Sequence, residues 1–301
     1  MKPAPRGRCG PGDHAVFSAE WLALRAPADT AARATELELR ARDWLSARLS
    51  SPLRHQAAGA LRLFDLGSGS GANPCHLAPR LPGPQHWWLL DHDPVLLKQA
   101  CDRCDALRDA DGRSIIASAC HTDLNTLAAA HLPSPDLITA SALLDLAGRA
   151  WLTRLADWCE HHGAAVLMAL SVDGHWHITP GDDDDKLVRD AFNAHQMRDK
   201  GLGGALGPEA ATTFAALLRM RGFQVHIAPS PWRLRADLPA PQALAARLLD
   251  GWRDAAFEQR PDLGPRIHAW HARRLATLAR AEWQIDVGHT DLLGLPPERI
   301  P

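Results

Sequence analysis

Helical spacing comes first along the chain. Within residues 15–58, Trp21, Leu22 and Leu24 lead into TAARATELELRARDWLSARL, where Leu37, Leu39, Trp44 and Leu45 recur at roughly one helical turn. The pattern then changes to short, nearly continuous apolar runs: LRLFDLG (61–67), QHWWLLD (85–91), SIIASAC (114–120), PDLITAS (135–141), GAAVLMALS (163–171) and GFQVHIA (222–228). Helical stretches at 93–108, 142–160 and 208–221 separate them. Strands without polar alternation are buried on both faces, and strands alternating with helices predict an α/β fold. The expected form is a doubly wound, mostly parallel sheet covered on both sides. SPWRL (230–234) adds a returning antiparallel strand, which brings the sheet to seven.

Leu244, Leu248 and Trp252, followed by Ile267, Trp270 and Leu278, predict two further helices, and VGHTDLLGLP (287–296) reads as a last strand or an extended tail. The expected organisation is an N-terminal helical cap (1–58), a core (59–235) and a C-terminal helical extension packed on it (236–301). No internal repeat is evident, and only GDDDD (181–185) resembles low complexity. Four adjacent acids before a helix read as a solvated N-terminal turn.

Bulk properties add exclusions. A formal net charge of -2 over 301 residues offers no global attraction for nucleic acid or an anionic membrane. The basic N-terminus is not followed by an apolar segment of signal or membrane-spanning length, so a cytoplasmic location is expected. Cys101 and Cys104 form a lone C-x-x-C without a second pair, which favours cysteines on a helix face over a metal site. No metal is expected.

The chemistry concentrates where the first strand ends. Gly67, Gly69 and Ala72 satisfy the G-x-G-x-x-A of a dinucleotide site, a weak match by itself. Asp65, two positions before the first glycine, argues against a diphosphate: a carboxylate there would repel it and oppose the helix N-terminus that attracts phosphate. A positively charged ligand would welcome the acid.

Here the chain resembles the class I S-adenosylmethionine-dependent methyltransferases. Asp65, Gly67, Gly69 and Gly71, with Ser68 between them, are similar to the first motif of that family, D-x-G-x-G-x-G. Asp91 closes the second strand twenty residues after Gly71, and the resemblance makes it the acceptor for both ribose hydroxyls. An acid there would serve an NAD ribose equally. The same resemblance assigns His92 to the adenine pocket, Asp123 and Leu124 in CHTDLNTL (120–127) to the adenine amino group and ring, and Ser141 in PDLITASALLDL (135–146) to the methionine end. It covers about residues 58 to 228 and implies S-adenosyl-L-methionine as cofactor.

The sequence narrows the methyl acceptor by exclusion. SALLDL follows the fourth strand in place of the N/D-P-P-Y/F of many nucleobase and glutamine methyltransferases, and basic patches interleaved with aromatics are missing. A small molecule is the expected acceptor, with protein methylation, a non-catalytic S-adenosylmethionine-binding regulator and a nicotinamide oxidoreductase as alternatives. The segment 171–208, an insertion after the fifth strand, carries the expected acceptor site. His195 is the candidate base, and Asn193, Gln196, Lys200, Asp145 and Trp21 are candidate substrate contacts, with Phe17 beside Trp21. Trp176 reads as packing, and His268, His271 and His289 as ordinary surface or packing residues. The C-terminal helices could form an intramolecular layer or a homodimer contact.

Overall fold

A computed structural model describes residues 18–50, 59–129, 132–237, 241–280 and 282–297. Two helices begin it, α1 (Ala19–Ala32), capped by the Ser18 hydroxyl accepting from the Trp21 amide at 3.2 Å, and α2 (Thr35–Leu49). The core then alternates β1 (Leu61–Leu66), α3 (Ala72–Leu77), β2 (Gln85–Asp91), α4 (Pro94–Cys104), β3 (Ile116–His121), β4 (Leu137–Ser141), α5 (Arg149–His162) and β5 (Ala165–Thr179). After α6 (Asp185–Gln196) and α7 (Ala210–Arg219) come β6 (Gln224–Pro229) and β7 (Trp232–Arg235), then α8 (Pro241–Gln259), α9 (Gly264–Leu278) and β8 (Gln284–Leu295).

The strands form one sheet in the order β3-β2-β1-β4-β5-β8-β6, with β7 pairing β8 off that path. Strands β1 to β5 are parallel, and β8 runs antiparallel to β5, β6 and β7. The doubly wound, mostly parallel architecture is therefore present, with eight strands where seven were expected. The eighth is the undecided 287–296 segment, and it sits inside the sheet. The stretch 236–301 thus adds two helices and then returns a strand to the core.

Long β5 and β8 change what surrounds the site. They pair along their length with two register shifts, between Met168 and Ser171 and between Val172 and Trp176. Leu170 takes a left-handed φ of 56° at the first shift and Gly174 a φ of 80° at the second. Beyond these bulges, β5, β7 and β8 project as a ribbon and bury one face under α6, α8 and α9. Trp176, Trp232, Leu248, Trp252, Trp270 and Val287 belong to that separate core. So residues 171–179 extend a strand rather than opening a loop.

The acidic run is not a solvated turn. Arg273 donates to Asp182 at 2.7 and 2.9 Å and to Asp184 at 2.9 Å, and Arg266 donates to Asp184 at 2.7 Å. Arg274 and Trp270 both donate to Asp185, at 3.0 and 2.8 Å. Sequence-distant arginines on α9 clamp these acids to the start of α6. No helix among the described residues is long and apolar enough to cross a membrane.

Candidate functional site

Two adjoining cavities lie at the C-terminal ends of the parallel strands, the position where open α/β sheets bind ligands. The first is lined by Gly67 and Gly69 after β1, Asp91, His92 and Asp93 after β2, and Leu96 of α4. Asp123, Leu124 and Ser141 complete it, with Leu22 and Arg25 reaching in from α1. Most of the expected cofactor contacts are therefore brought together.

Within the turn, Gly67, Gly69 and Gly71 adopt φ of 63°, 49° and 81°, the left-handed region that favours glycine. At Gly71 a Cβ would also stand 2.9 Å from the Ala100 Cα, so α4 packs directly on the turn. The amides of the turn are largely committed internally. Gly67 and Ser68 donate to the Leu90 carbonyl at 2.8 and 3.1 Å, Gly71 donates to Ser68 at 2.9 Å, and Gly69 donates to Asp91 Oδ2 at 2.8 Å. A phosphate cradle needs backbone N–H groups aimed outward. This turn instead shows the cavity a carboxylate. Asp91 Oδ1 accepts from Asp93 N at 3.0 Å, and a carboxylate with about four acceptor positions keeps capacity for more donors.

Three of the expected residues do not line the cavity. Ser68 is buried, its hydroxyl donating to the Asp65 carbonyl at 2.8 Å, and Gly71 faces α4. Asp65 is buried behind the turn. Its Oδ1 accepts from Asn73 Nδ2 at 2.6 Å, and Asn73 also donates to Thr139 and accepts from Arg33. Oδ2 of Asp65 is buried without a hydrogen-bond partner. Burial raises the carboxyl to about 7, against which Asn73 and the Arg33 charge act. The acid that argued against a diphosphate from sequence is thus part of an internal network, and Asp91 and the committed amides are what a ligand along the turn would meet. Asp123 caps its own turn, Oδ1 accepting from the Asn125 amide at 2.8 Å, while the His92 ring lies 3.2 Å from Asp91.

The second cavity, about 360 Å³, lies between the strand ends and the β5–β8 ribbon. Arg25, Ala142, Leu146 and Lys200 line both cavities, so the two meet along this edge. Ala142 holds a left-handed φ of 54° there, pinned by its amide donating to Ala169 at 2.9 Å. Trp21, Asp145, His195, Gln196 and Lys200 all line the second cavity. Asn193 does not; its Nδ2 donates to the Gly174 carbonyl at 2.8 Å and fixes the second bulge. Phe17 lies outside the described residues.

His195 Nε2 stands 3.4 Å from Glu258 Oε2, and its Nδ1 is buried and unpaired. Burial and the Arg198 and Lys200 charges lower its pKa. Asp145 Oδ1 is also buried and unpaired, and burial raises that carboxyl.

Sequence reasoning placed His289 among surface or packing residues. It lines the second cavity, and its Nδ1 lies 3.0 Å from the Val287 carbonyl, an acceptor only. Nδ1 therefore carries the hydrogen and Nε2 is the ring's acceptor atom. Burial and the Arg25 charge hold this histidine down to about 4, so it is neutral at ordinary pH. No local sequence signal marks it, because Arg25 and Trp232 meet it only in the fold. Asp291, on the same strand, accepts from Ala34 N at 2.9 Å, Leu170 N at 2.7 Å and Ser230 Oγ at 2.5 Å. It ties the α1–α2 junction and the first bulge to β8.

Several solved structures are similar in fold. Human N-acetylserotonin methyltransferase in complex with SAM matches at 16% identity and TM-score 0.37, over 68% of this chain and 48% of that one. An arsenic (III) S-adenosylmethionine methyltransferase from Chlamydomonas reinhardtii matches at 16% identity and TM-score 0.40, over 80% of this chain and 65% of that one. A SAM-dependent methyltransferase from Thiobacillus denitrificans, in complex with S-adenosyl-L-homocysteine, matches at 20% identity and TM-score 0.37, over 94% and 93%. The chain thus spans about half of the first and under two thirds of the second. At such scores no residue correspondence follows from them. No protein-family model and no curated protein matches the sequence.

Proposed function

We propose that the chain is a class I S-adenosylmethionine-dependent methyltransferase acting on a small-molecule acceptor, with the donor along the glycine turn and the acceptor in the second cavity. The observation that carries this reading is the turn itself. Its amides are committed to Leu90, Ser68 and Asp91, and carboxylates of Asp91, Asp93 and Asp123 line the cavity beside it. On the side of the turn the wall is donor-poor and acceptor-rich, with Arg25 and Lys200 confined to the rim shared with the second cavity, and that suits a nucleoside with a cationic tail better than a dinucleotide's phosphates.

In this reading Asp91 accepts from the ribose hydroxyls, and Leu96, Asp123, Leu124 and His92 bound the adenine. Gly67, Gly69 and Ser141 border the methionine end, while Asp65, Ser68 and Gly71 hold the turn's shape. When bound, the donor supplies a methyl group already activated on sulfur. The protein's task is then alignment and exclusion of water. Arg25, Ala142, Leu146 and Lys200 form the rim across which donor and acceptor would face each other. A hydroxyl acceptor also needs somewhere to leave its proton, and Nε2 of His289 and the ring of His195 are the groups proposed to take it. Trp21, Asp145, Gln196 and Lys200 are the proposed substrate contacts. Walls drawn from α1, β5, α6, α8 and β8 favour a small molecule over a protein surface.

Calorimetry with S-adenosylmethionine, S-adenosylhomocysteine and NAD tests the donor. Binding of the first two and not the third is the expected result, and NAD binding alone would overturn the proposal. The mass of any product formed with a metabolite extract then identifies the acceptor.

A further inference from the structure

The second cavity concentrates charge. Arg25, Lys200 and Arg247 line it, against the single buried carboxyl of Asp145. Burial already favours the neutral form of that carboxyl. In a chain of formal net charge -2, this is a local reversal of sign. Two histidines on the same wall register it: besides burial, Arg25 lowers His289, and Arg198 and Lys200 lower His195.

The remaining wall is flat and aromatic. Trp176 stacks on Trp252 with ring centroids 4.4 Å apart and planes 6° from parallel. Trp232 lies under the Arg25 guanidinium at 5.2 Å, and Trp21 lines the same space.

Building on the methyl-acceptor reading above, we propose that this cavity takes a planar aromatic acceptor bearing a carboxylate or similar oxyanion. The ring lies against the aromatic wall, and the anion meets Lys200 and Arg247. Arg25 already pairs with Asp29 at 2.8 Å, so its part is to set the field and cover Trp232. Arg247 is exposed, which lets it receive the anion at the entrance.

The test uses the full chain and measures binding, not turnover. S-Adenosylhomocysteine is titrated first by calorimetry, followed by 2-naphthoate, indole-3-acetate and 4-hydroxybenzoate, each against its own primary amide. At least one acid should bind about tenfold or more tighter than its amide, with a change in tryptophan fluorescence. In Arg247→Gln and Lys200→Gln variants that ratio should shrink toward one, with thermal melts checking that both remain folded. Equal binding of acid and amide, no acid binding at millimolar concentration, or ratios unchanged in both variants would overturn the inference. Where S-adenosylhomocysteine binds without acid selectivity, the acceptor class falls alone. Acid selectivity in a protein that ignores S-adenosylhomocysteine leaves the anion site standing and removes the methyltransferase reading instead.

Discussion

Gly69 donates its amide hydrogen to Oδ2 of Asp91 across 2.8 Å, so the turn after β1 and the end of β2 form one unit. Replacing Asp91 with alanine removes that tie and the acceptor that two ribose hydroxyls would use. The Kd for S-adenosylhomocysteine should weaken by about 100-fold, near 3 kcal/mol. Calorimetry on the folded variant checks it. Unchanged affinity would mean that the nucleoside binds elsewhere.

Asp65 gives the fold a pH signature. Its carboxyl is raised from 3.8 to about 7 by burial, so between those values the folded protein holds a proton that the unfolded chain releases. The stability associated with this group is fully present below about 4 and is lost as pH rises through about 7. The upper bound on the loss is roughly 4 kcal/mol. Asp65→Asn should flatten that part of the stability curve in urea titrations from pH 4 to 8. A curve that keeps its slope would assign the effect to another group.

The two histidines are separable. His289→Gln should lower kcat by about 100-fold, the usual weight of a proton-accepting group, and leave S-adenosylhomocysteine affinity alone. His195→Gln should lower it less, because Nδ1 is sealed and the ring is drawn toward Glu258. Activity resting on neutral His289 should persist under acid until pH approaches about 4 for that group. Equal kcat in His289→Gln and the parent protein would remove the ring from the mechanism.

The Arg274–Asp185 pair fastens α9 to α6. Arg274→Met strips this carboxylate of its cation and leaves it the Trp270 indole and the Asp182 amide, at a cost of about 3 kcal/mol in urea unfolding. Asp182 adds a smaller acid-side contribution. Hydrogen bonding to Arg273 lowers it to about 2, so its stabilisation is present above 3.8 and disappears as pH falls toward 2. An Arg274→Met variant as stable as the parent would mean that the helices are held by apolar packing alone.

The sheet was legible in the sequence because its parallel strands are apolar on both faces, as in Leu61–Leu66 and Leu137–Ser141. Even β3 was found, although Ile116 is 58% exposed at that edge. β8 stayed undecided because His289 and Asp291 interrupt it, and both are buried through partners far away in the chain. The turn's glycines were legible because their left-handed backbone angles are a local property. The direction of Asp65 is not local, and neither is the pairing of three aspartates with arginines some ninety residues later. The ring of His289 acquires meaning only beside Arg25.

The ribbon that β5 and β8 extend past their bulges works as a mounting bracket. Its roots are shared with the sheet, while its tip and the helices attached to it belong to neither the glycine turn nor Asp91. Segments bolted to such a bracket can be exchanged by insertion or recombination while the glycine turn keeps its own contacts to Leu90 and Asp91. New chemical appetites are therefore open to this scaffold at little risk to its foundations.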